Sequence, residues 1–219
     1  MDMWFNTVDY TYLELTLFIT GCFLWVIAYA IIIKNIRRHK VVEMPFLAGC
    51  GNFGWEFVWS FIFRTNMGLV CVYAYRAWFF LDIYIFSNLL RYGDKQVSSP
   101  EMKQWFKPMC IFLTLAWAIA TYTIKQTGYE LVIGAISAYT VNVFISGCYI
   151  SLILRIDSLK GFSLAVAWLK MIGTGLNTIF MIIHFPTNSY LHFMGILVFI
   201  LDIIYIYLFI KKRKELPTS

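Results

Sequence analysis

Three acidic side chains lie inside long apolar segments of this chain. Glu56 and Asp202 each stand alone near the middle of such a segment, and Asp82 lies in a third. Acidic residues at membrane depth are costly and by default indicate function. A carboxyl group in a dry environment prefers its neutral form, and a protonated carboxyl in an apolar pocket can act as a general acid. Glu56 and Asp202 are therefore candidate catalytic acids, with Asp82 as an additional candidate.

Polar and aromatic residues recur at helical spacing around these acids. Asn52 and Trp59 share the predicted helix face of Glu56, because they lie four residues before and three residues after it. The Asn52 amide can donate a hydrogen bond to the carboxyl group and hold it in one orientation. Tyr75, Trp78 and Phe79 fall on the predicted helix face of Asp82, and their rings can stabilise a cation. The predicted substrate-binding residues are Asn52, Trp59, Tyr75, Arg76, Trp78, Phe79, Asn142 and Asn177.

An apolar cavity with protonated carboxyls and aromatic faces suits acid-initiated carbocation chemistry on a hydrophobic substrate. At about 1.5 Å per residue, Glu56 lies about 17 Å and Asp202 about 12 Å from the same membrane edge, so we expect both to face one cavity. A structural role is the alternative, since charges inside membranes pair with one another. Arg76 could pair with Glu56, and Lys170 with Asp202 or Asp82. Asn142 and Asn177 could instead form interhelical hydrogen bonds.

The composition indicates that these apolar segments lie in a membrane. Of 219 residues, 60% are hydrophobic and 14% charged, and the mean hydropathy is +0.70. Apolar runs of about 20 residues match the bilayer core. We predict an all-α polytopic protein in which residues 1–219 form a single domain, a seven-transmembrane-helix bundle in the lipid bilayer. The predicted spans are 13–33, 44–63, 68–90, 107–124, 129–154, 162–184 and 190–210.

We interpret the net charge of +6 as a sign of how the chain is oriented in the membrane and not of nucleic-acid binding. Fourteen of the 18 basic residues fall in the four segments that a seven-span topology puts on one side of the membrane. By the positive-inside rule, that side is cytoplasmic. The sequence therefore predicts an N-terminus outside and a C-terminus in the cytoplasm.

Several short motifs, in this order and at these membrane positions, resemble one known family. They are Asn52-x-x-Trp55-Glu56 after Met44-Pro45, Arg76-x-Trp78-x-x-x-Asp82, Arg155-x-x-Ser158-x-x-Phe162-Ser163 with Trp168 and Gly173-Thr174, and Asp202 in the last span. Together they resemble the integral-membrane terpene cyclases of fungal meroterpenoid and indole-diterpene pathways and their bacterial relatives.

The resemblance implies a reaction and two acids. Such cyclases protonate a terminal epoxide or an alkene of a prenylated, meroterpenoid-type substrate and then close rings in a cascade. Their proposed acid pair maps onto Glu56 and Asp202. The chain has no Asp-rich DDxxD-type pair for Mg²⁺ and diphosphate and no DxDD motif, so we expect neither a metal nor another cofactor.

A small seven-helix transporter is the alternative function. Such folds usually have helices interrupted by proline and detectable similarity between their halves. All five prolines here fall at predicted helix ends or in loops. A scaffold subunit would explain the hydrophobicity, but not three buried carboxyls on aromatic faces. The five cysteines are scattered singly, without metal or redox spacing.

Overall fold

The structure, a computed structural model, describes residues 3–216, in which helices are the regular secondary structure and short loops join them. The eight α-helices are α1 (Tyr12–His39), α2 (Phe46–Phe57), α3 (Leu69–Tyr92), α4 (Pro100–Gln104), α5 (Phe106–Gln126), α6 (Ala135–Arg155), α7 (Leu164–His184) and α8 (Ser189–Glu215). A π-helical turn, Val58–Ile62, continues α2, and a 3-10 turn, Gly93–Gln96, follows α3. There is no strand between residues 3 and 216, so the predicted all-α class is confirmed.

Six helices, α1, α3, α5, α6, α7 and α8, are long and apolar enough to cross a membrane. The segment predicted as a span at 44–63 differs from the prediction. It begins after Pro45 and is helical only over residues 46–62, divided between α2 and the π turn, and it is shorter than the other six. The predicted count of seven thus corresponds to six full-length helices and one shorter, divided helix.

The π turn changes which residues follow Glu56 on its face. The amide N of Phe63 donates to Val58 O at 2.9 Å, five residues back instead of four. Helical positions beyond Glu56 are therefore rotated relative to a regular α-helix. Arg76 of α3 caps the end of this turn, because its Nε donates to Ser60 O at 3.2 Å.

Five helices enclose the centre of the bundle. α1 packs against α3 and α7, and α2 packs against α3 and α6. α8 contacts both α6 and α7 and bridges them on the outside, while α5 packs on the outer side of α2. α5 is the least buried of the six long helices. The interior therefore belongs to α1, α2, α3, α6 and α7.

The loop before α6 closes one end of this interior. The Glu130 carboxylate accepts hydrogen bonds from the backbone N–H groups of Leu131, Ile136 and Ser137 at 2.8–2.9 Å. The bonds from Ile136 and Ser137 satisfy N–H groups at the start of α6 that have no helical partner, and the bond from Leu131 lies in the loop itself. The carboxylate thereby fixes the position of Ile133, which faces the interior.

Candidate active site

A cavity of about 90 Å³ lies between the five inner helices. This is room for several water-sized groups. Most of its wall is apolar, and six aromatic side chains with a polar atom contribute to it: Trp25, Tyr29, Trp55, Tyr75, Trp78 and Tyr139. Glu56 is the carboxyl group of the wall, and the predicted residues Asn52, Tyr75, Trp78, Asn142 and Asn177 line it as well.

Two donors hold one oxygen of the Glu56 carboxyl group. Tyr29 donates its hydroxyl to Oε1 at 2.9 Å, and Asn52 donates its Nδ2 to the same oxygen at 2.9 Å. Glu56 is only 2% exposed, and its second oxygen, Oε2, is buried without a hydrogen-bond partner. Because Oε1 is occupied as an acceptor, Oε2 is the oxygen that can carry a proton.

Asn52 also connects Glu56 to a second carboxyl group. Its Nδ2 lies 3.1 Å from Oδ2 of Asp82 and 2.5 Å from the Tyr29 hydroxyl. Asp82 is 1% exposed but is not part of the cavity wall. Asn52, predicted as a substrate-binding residue, thus holds two acidic side chains together.

Other polar atoms on the wall lack partners. Nε1 of Trp78 and Oδ1 of Asn142 are buried without a hydrogen bond. Oδ1 of Asn177 is also without one, and it packs against Gly21 of α1, where an added Cβ would lie 2.3 Å from it. Buried polar groups in folded proteins normally have partners. Trp78 and Asn142 are therefore candidates for contact with polar atoms of a ligand.

Hydrogen bonds behind the wall fix two of its aromatic rings, and Trp78 stacks on one of them. Trp55 donates its Nε1 to Ser137 Oγ at 2.9 Å, and Tyr75 donates its hydroxyl to Ile133 O at 3.0 Å. Tyr75 stacks on Trp78 with centroids 5.5 Å apart, and Trp55 meets Tyr75 edge-on at 5.6 Å. Rings held in this way can present fixed π-faces to a cation.

Asp202 lies away from the cavity wall, in an ion pair between helices. Lys170 of α7 approaches its Oδ1 to 2.6 Å and its Oδ2 to 2.9 Å. Ser146 of α6 donates to Oδ1 at 2.8 Å. The expectation that Glu56 and Asp202 face one cavity is wrong, because α8 packs outside α6 and α7. Of the alternatives for Lys170, pairing with Asp202 is confirmed; the catalytic role of Asp202 stays a prediction.

Three predicted substrate-binding residues do not line the cavity. The π turn carries Trp59 off the face of Glu56, and its ring packs on Gly134. Arg76 binds Ser60 O and therefore does not pair with Glu56. Phe79 stacks on Phe53 with centroids 5.0 Å apart and contacts further rings of the α2 segment instead of the cavity.

Helix α1 contributes cavity residues that were not predicted from the sequence. Trp25 and Tyr29 lie four residues apart and both line the cavity. Trp25 donates its Nε1 to Thr174 Oγ1 at 3.2 Å. The available signal was the spacing of four residues between Trp25 and Tyr29 within an apolar segment.

Comparison with known proteins shows the family of this chain. Residues 5–215 match the family model of the Pyr4-like transmembrane terpene cyclases. The chain belongs to this family. The resemblance stated from the sequence is thus confirmed, and with its six long apolar helices this Pyr4-like chain is an integral membrane protein.

Curated relatives of this Pyr4-like chain are named as terpene cyclases. It is 29% identical over 161 residues to terpene cyclase macJ of Penicillium terrestre, an alignment that covers 69% of the chain and 59% of macJ. It is 23% identical over 211 residues to terpene cyclase pyr4 of Aspergillus fumigatus, covering 87% and 83%. Identity to the Pyr4-family terpene cyclase mfmH of Annulohypoxylon moriforme is 25% over 158 residues, covering 68% and 62%. No solved structure gives a significant match.

Proposed function

We propose that this protein is a membrane terpene cyclase that protonates a terminal epoxide or an alkene of a prenylated, meroterpenoid-type substrate and drives a ring-closing carbocation cascade without a cofactor. The observation that carries this proposal is the buried, unpartnered Oε2 of Glu56 on the wall of an aromatic cavity. Membership of the terpene cyclase family favours this function over transport.

The chemistry starts at Glu56. Its proton passes from Oε2 to the epoxide oxygen or the alkene carbon, which leaves a carboxylate on Glu56 and a cation on the substrate. Tyr29 and Asn52 already donate to Oε1, so donors are in place for the charge that develops on the carboxylate. Loss of a proton from the final cation restores the acid and closes the proton balance.

The aromatic wall acts on the intermediates. A desolvated cation over an aromatic face gains about 2 kcal/mol, and Trp78 and Tyr75 present stacked rings on the cavity. The apolar remainder of the wall keeps water from quenching the cation early.

Asp202 remains the second acid of this proposal, and because it lies off the cavity wall, its task is to reprotonate Glu56 and not to meet the substrate. Its carboxylate is held by Lys170 and Ser146, so donation of a proton would require the ion pair to open. If the pair is purely structural, a substitution that breaks it should lower stability and turnover together. A second substitution that removes the unpaired charge should then restore both.

We also propose the complete topology: a single seven-helix domain over residues 1–219, with the N-terminus outside and the C-terminus cytoplasmic. The asymmetry of basic residues supports it. A reporter fused after Ser219, which lies outside the described residues, should be active only in the cytoplasm. Activity only on the outer side would contradict the orientation.

The decisive experiment replaces Glu56 by Gln, which keeps size and polarity but cannot deliver a proton. Membranes containing equal amounts of each variant are incubated with a prenylated phenol that carries a terminal epoxide, and with its alkene form. Loss of a general acid typically costs about 10²–10⁴-fold in rate. The exposed Glu101→Gln is the control and should retain wild-type turnover. Turnover of Glu56→Gln within about 3-fold of wild type, or no turnover of either probe by wild type, would contradict the proposal.

A further inference from the structure

Asp82 is a deeply buried carboxyl group that the proposed reaction does not use. Its Oδ2 accepts from Asn52 Nδ2 at 3.1 Å, and its Oδ1 is buried without a partner. Within residues 3–216, no lysine or arginine forms an ion pair with it. Because Asp82 does not reach the cavity wall, it has no direct access to a substrate held there.

The Asn52 amide is the connection between Asp82 and Glu56. A carboxamide nitrogen has two N–H groups, which are donors only. Here that nitrogen lies 2.9 Å from Glu56 Oε1 and 3.1 Å from Asp82 Oδ2, so it bridges the two carboxyl groups. The same nitrogen also lies 2.5 Å from the Tyr29 hydroxyl, so three acceptors together fix the rotation of the amide. Removing Asp82 leaves acceptors only at Tyr29 and Glu56, and the amide is then free to rotate toward these two and to change its contact with Oε1.

We propose that Asp82 is a positioning residue for the acid: it anchors Asn52, which in turn keeps Oε1 of Glu56 as an acceptor and leaves Oε2 as the proton-bearing oxygen. The proposal rests on the role of Glu56 as the proton donor. It assigns Asp82 a task different from the proton donation that its burial alone suggests.

Two substitutions at position 82 separate positioning from proton donation. Asp82→Asn has no acidic proton, but its carboxamide oxygen can still accept from Asn52. Asp82→Leu is of similar size and offers no acceptor. Positioning predicts that the Asn variant keeps kcat within about 5-fold of wild type, whereas the Leu variant loses about 10²-fold in kcat, the cost of misplacing a reacting group by about 1 Å. KM should change little in either, since Asp82 does not line the cavity.

Infrared spectroscopy of the purified protein provides a readout that needs no substrate. The difference between wild type and Glu56→Gln identifies the carboxyl bands of Glu56. The same difference, measured in the Asp82→Asn background, should give bands at wild-type positions, and in the Asp82→Leu background the bands should shift. Asp94→Asn, just beyond α3, is the control and should leave them unchanged. If the Leu variant does not fold, Asp82→Ala takes its place.

The outcomes decide the inference independently of the reaction. Glu56 bands unchanged in the Leu or Ala variant would overturn the positioning role, as would an Asn variant that is as inactive as the Leu variant. If Glu56→Gln is fully active while the bands shift as expected, the proposed function fails but the anchoring of Glu56 through Asn52 stands.

Discussion

Replacing Asp202 by Asn should destabilise the protein strongly, and adding Lys170→Met in the same background should restore most of the loss. In the wild type, Lys170 Nζ lies 2.6 and 2.9 Å from the two carboxylate oxygens, and both side chains are 4% exposed. The amide introduced by this substitution could still accept a hydrogen bond from Ser146, but it would leave the Lys170 ammonium buried without a counter-charge.

The size of the effect follows from this burial. Breaking a buried ion pair by removing one partner costs about 3–5 kcal/mol, whereas replacing the whole pair by uncharged residues is often close to neutral. We therefore expect Asp202→Asn to lower the free energy of unfolding by about 3 kcal/mol and the double variant to lie within about 1 kcal/mol of wild type. Adding Lys170→Met should thus recover at least about 2 kcal/mol of the loss, whereas substitutions at independent sites would simply add.

The assay combines thermal unfolding of purified protein with cyclisation by the same samples. The single variant Asp202→Asn should unfold roughly 6–12 °C below wild type, and the double variant close to it. Lys211→Met provides the control, because the Lys211–Glu215 pair in α8 spans 3.9 Å and both side chains are more than half exposed. It should leave the unfolding temperature unchanged.

One result would refute the stability argument, and two others decide whether Asp202 is catalytic or structural. A double variant as unstable as Asp202→Asn would show that the ion pair does not govern stability. Restored folding without restored cyclisation would assign Asp202 a catalytic task beyond the pair, as the resemblance to the family implies. Restored folding together with restored cyclisation would leave Glu56 as the sole acid.

Other side chains give further tests. Burial raises the pKa of Glu43, between α1 and α2, to about 8. The folded state therefore favours the protonated side chain. The stability that this provides is complete below the ordinary pKa near 4.5 and is lost as pH rises through 8. Wild type should therefore lose up to about 4 kcal/mol relative to Glu43→Gln between about pH 5 and 8 in thermal unfolding; equal pH profiles would refute this. Trp78→Ala should release partly cyclised or alcohol products, while Trp59→Ala should only lower stability; product analysis showing the reverse would exchange their roles. Gly134→Ala should cost about 1–3 kcal/mol in stability, because φ is +76° and the new Cβ would lie 2.5 Å from Trp59; an unchanged unfolding temperature would contradict that clash.

The contact between Asn52 and Glu56 could be predicted from the sequence because it depends only on helical spacing. Four residues separate them in a regular helix, and the structure gives 2.9 Å between Nδ2 and Oε1. Helical spacing gives the wrong face for Trp59, three residues after Glu56, because the hydrogen bonds change from α to π at Val58. Spacing holds only as long as the helix type does, and no residue type between Val58 and Ile62 reveals the change.

Contacts between different helices were harder to predict from the sequence. From the sequence, Lys170 could pair with Asp202 or with Asp82, and only the packing of α8 against α6 and α7 selects Asp202. The hydroxyl of Tyr29 reaches Glu56 because α1 lies beside the α2–α3 pair, an arrangement that periodicity within one segment cannot supply. The helical rise per residue gives the depth of Glu56 and Asp202 along the membrane normal. It does not give their lateral position, which decides what they face.

The π turn at Val58–Ile62 also bears on how this protein is compared with others. A π turn accommodates one more residue than the α-helical turn it replaces, and here it is the last turn before the chain leaves the helix at Phe63. A chain that lacks this residue would align with a gap of a single position near the end of the same helix. Misaligning it by one residue rotates every later position of the segment by about 100°. Correspondences beyond Phe57 are therefore better anchored on Ser60, whose carbonyl binds Arg76 and whose hydroxyl binds Tyr75 O at 2.9 Å, than on the tryptophans.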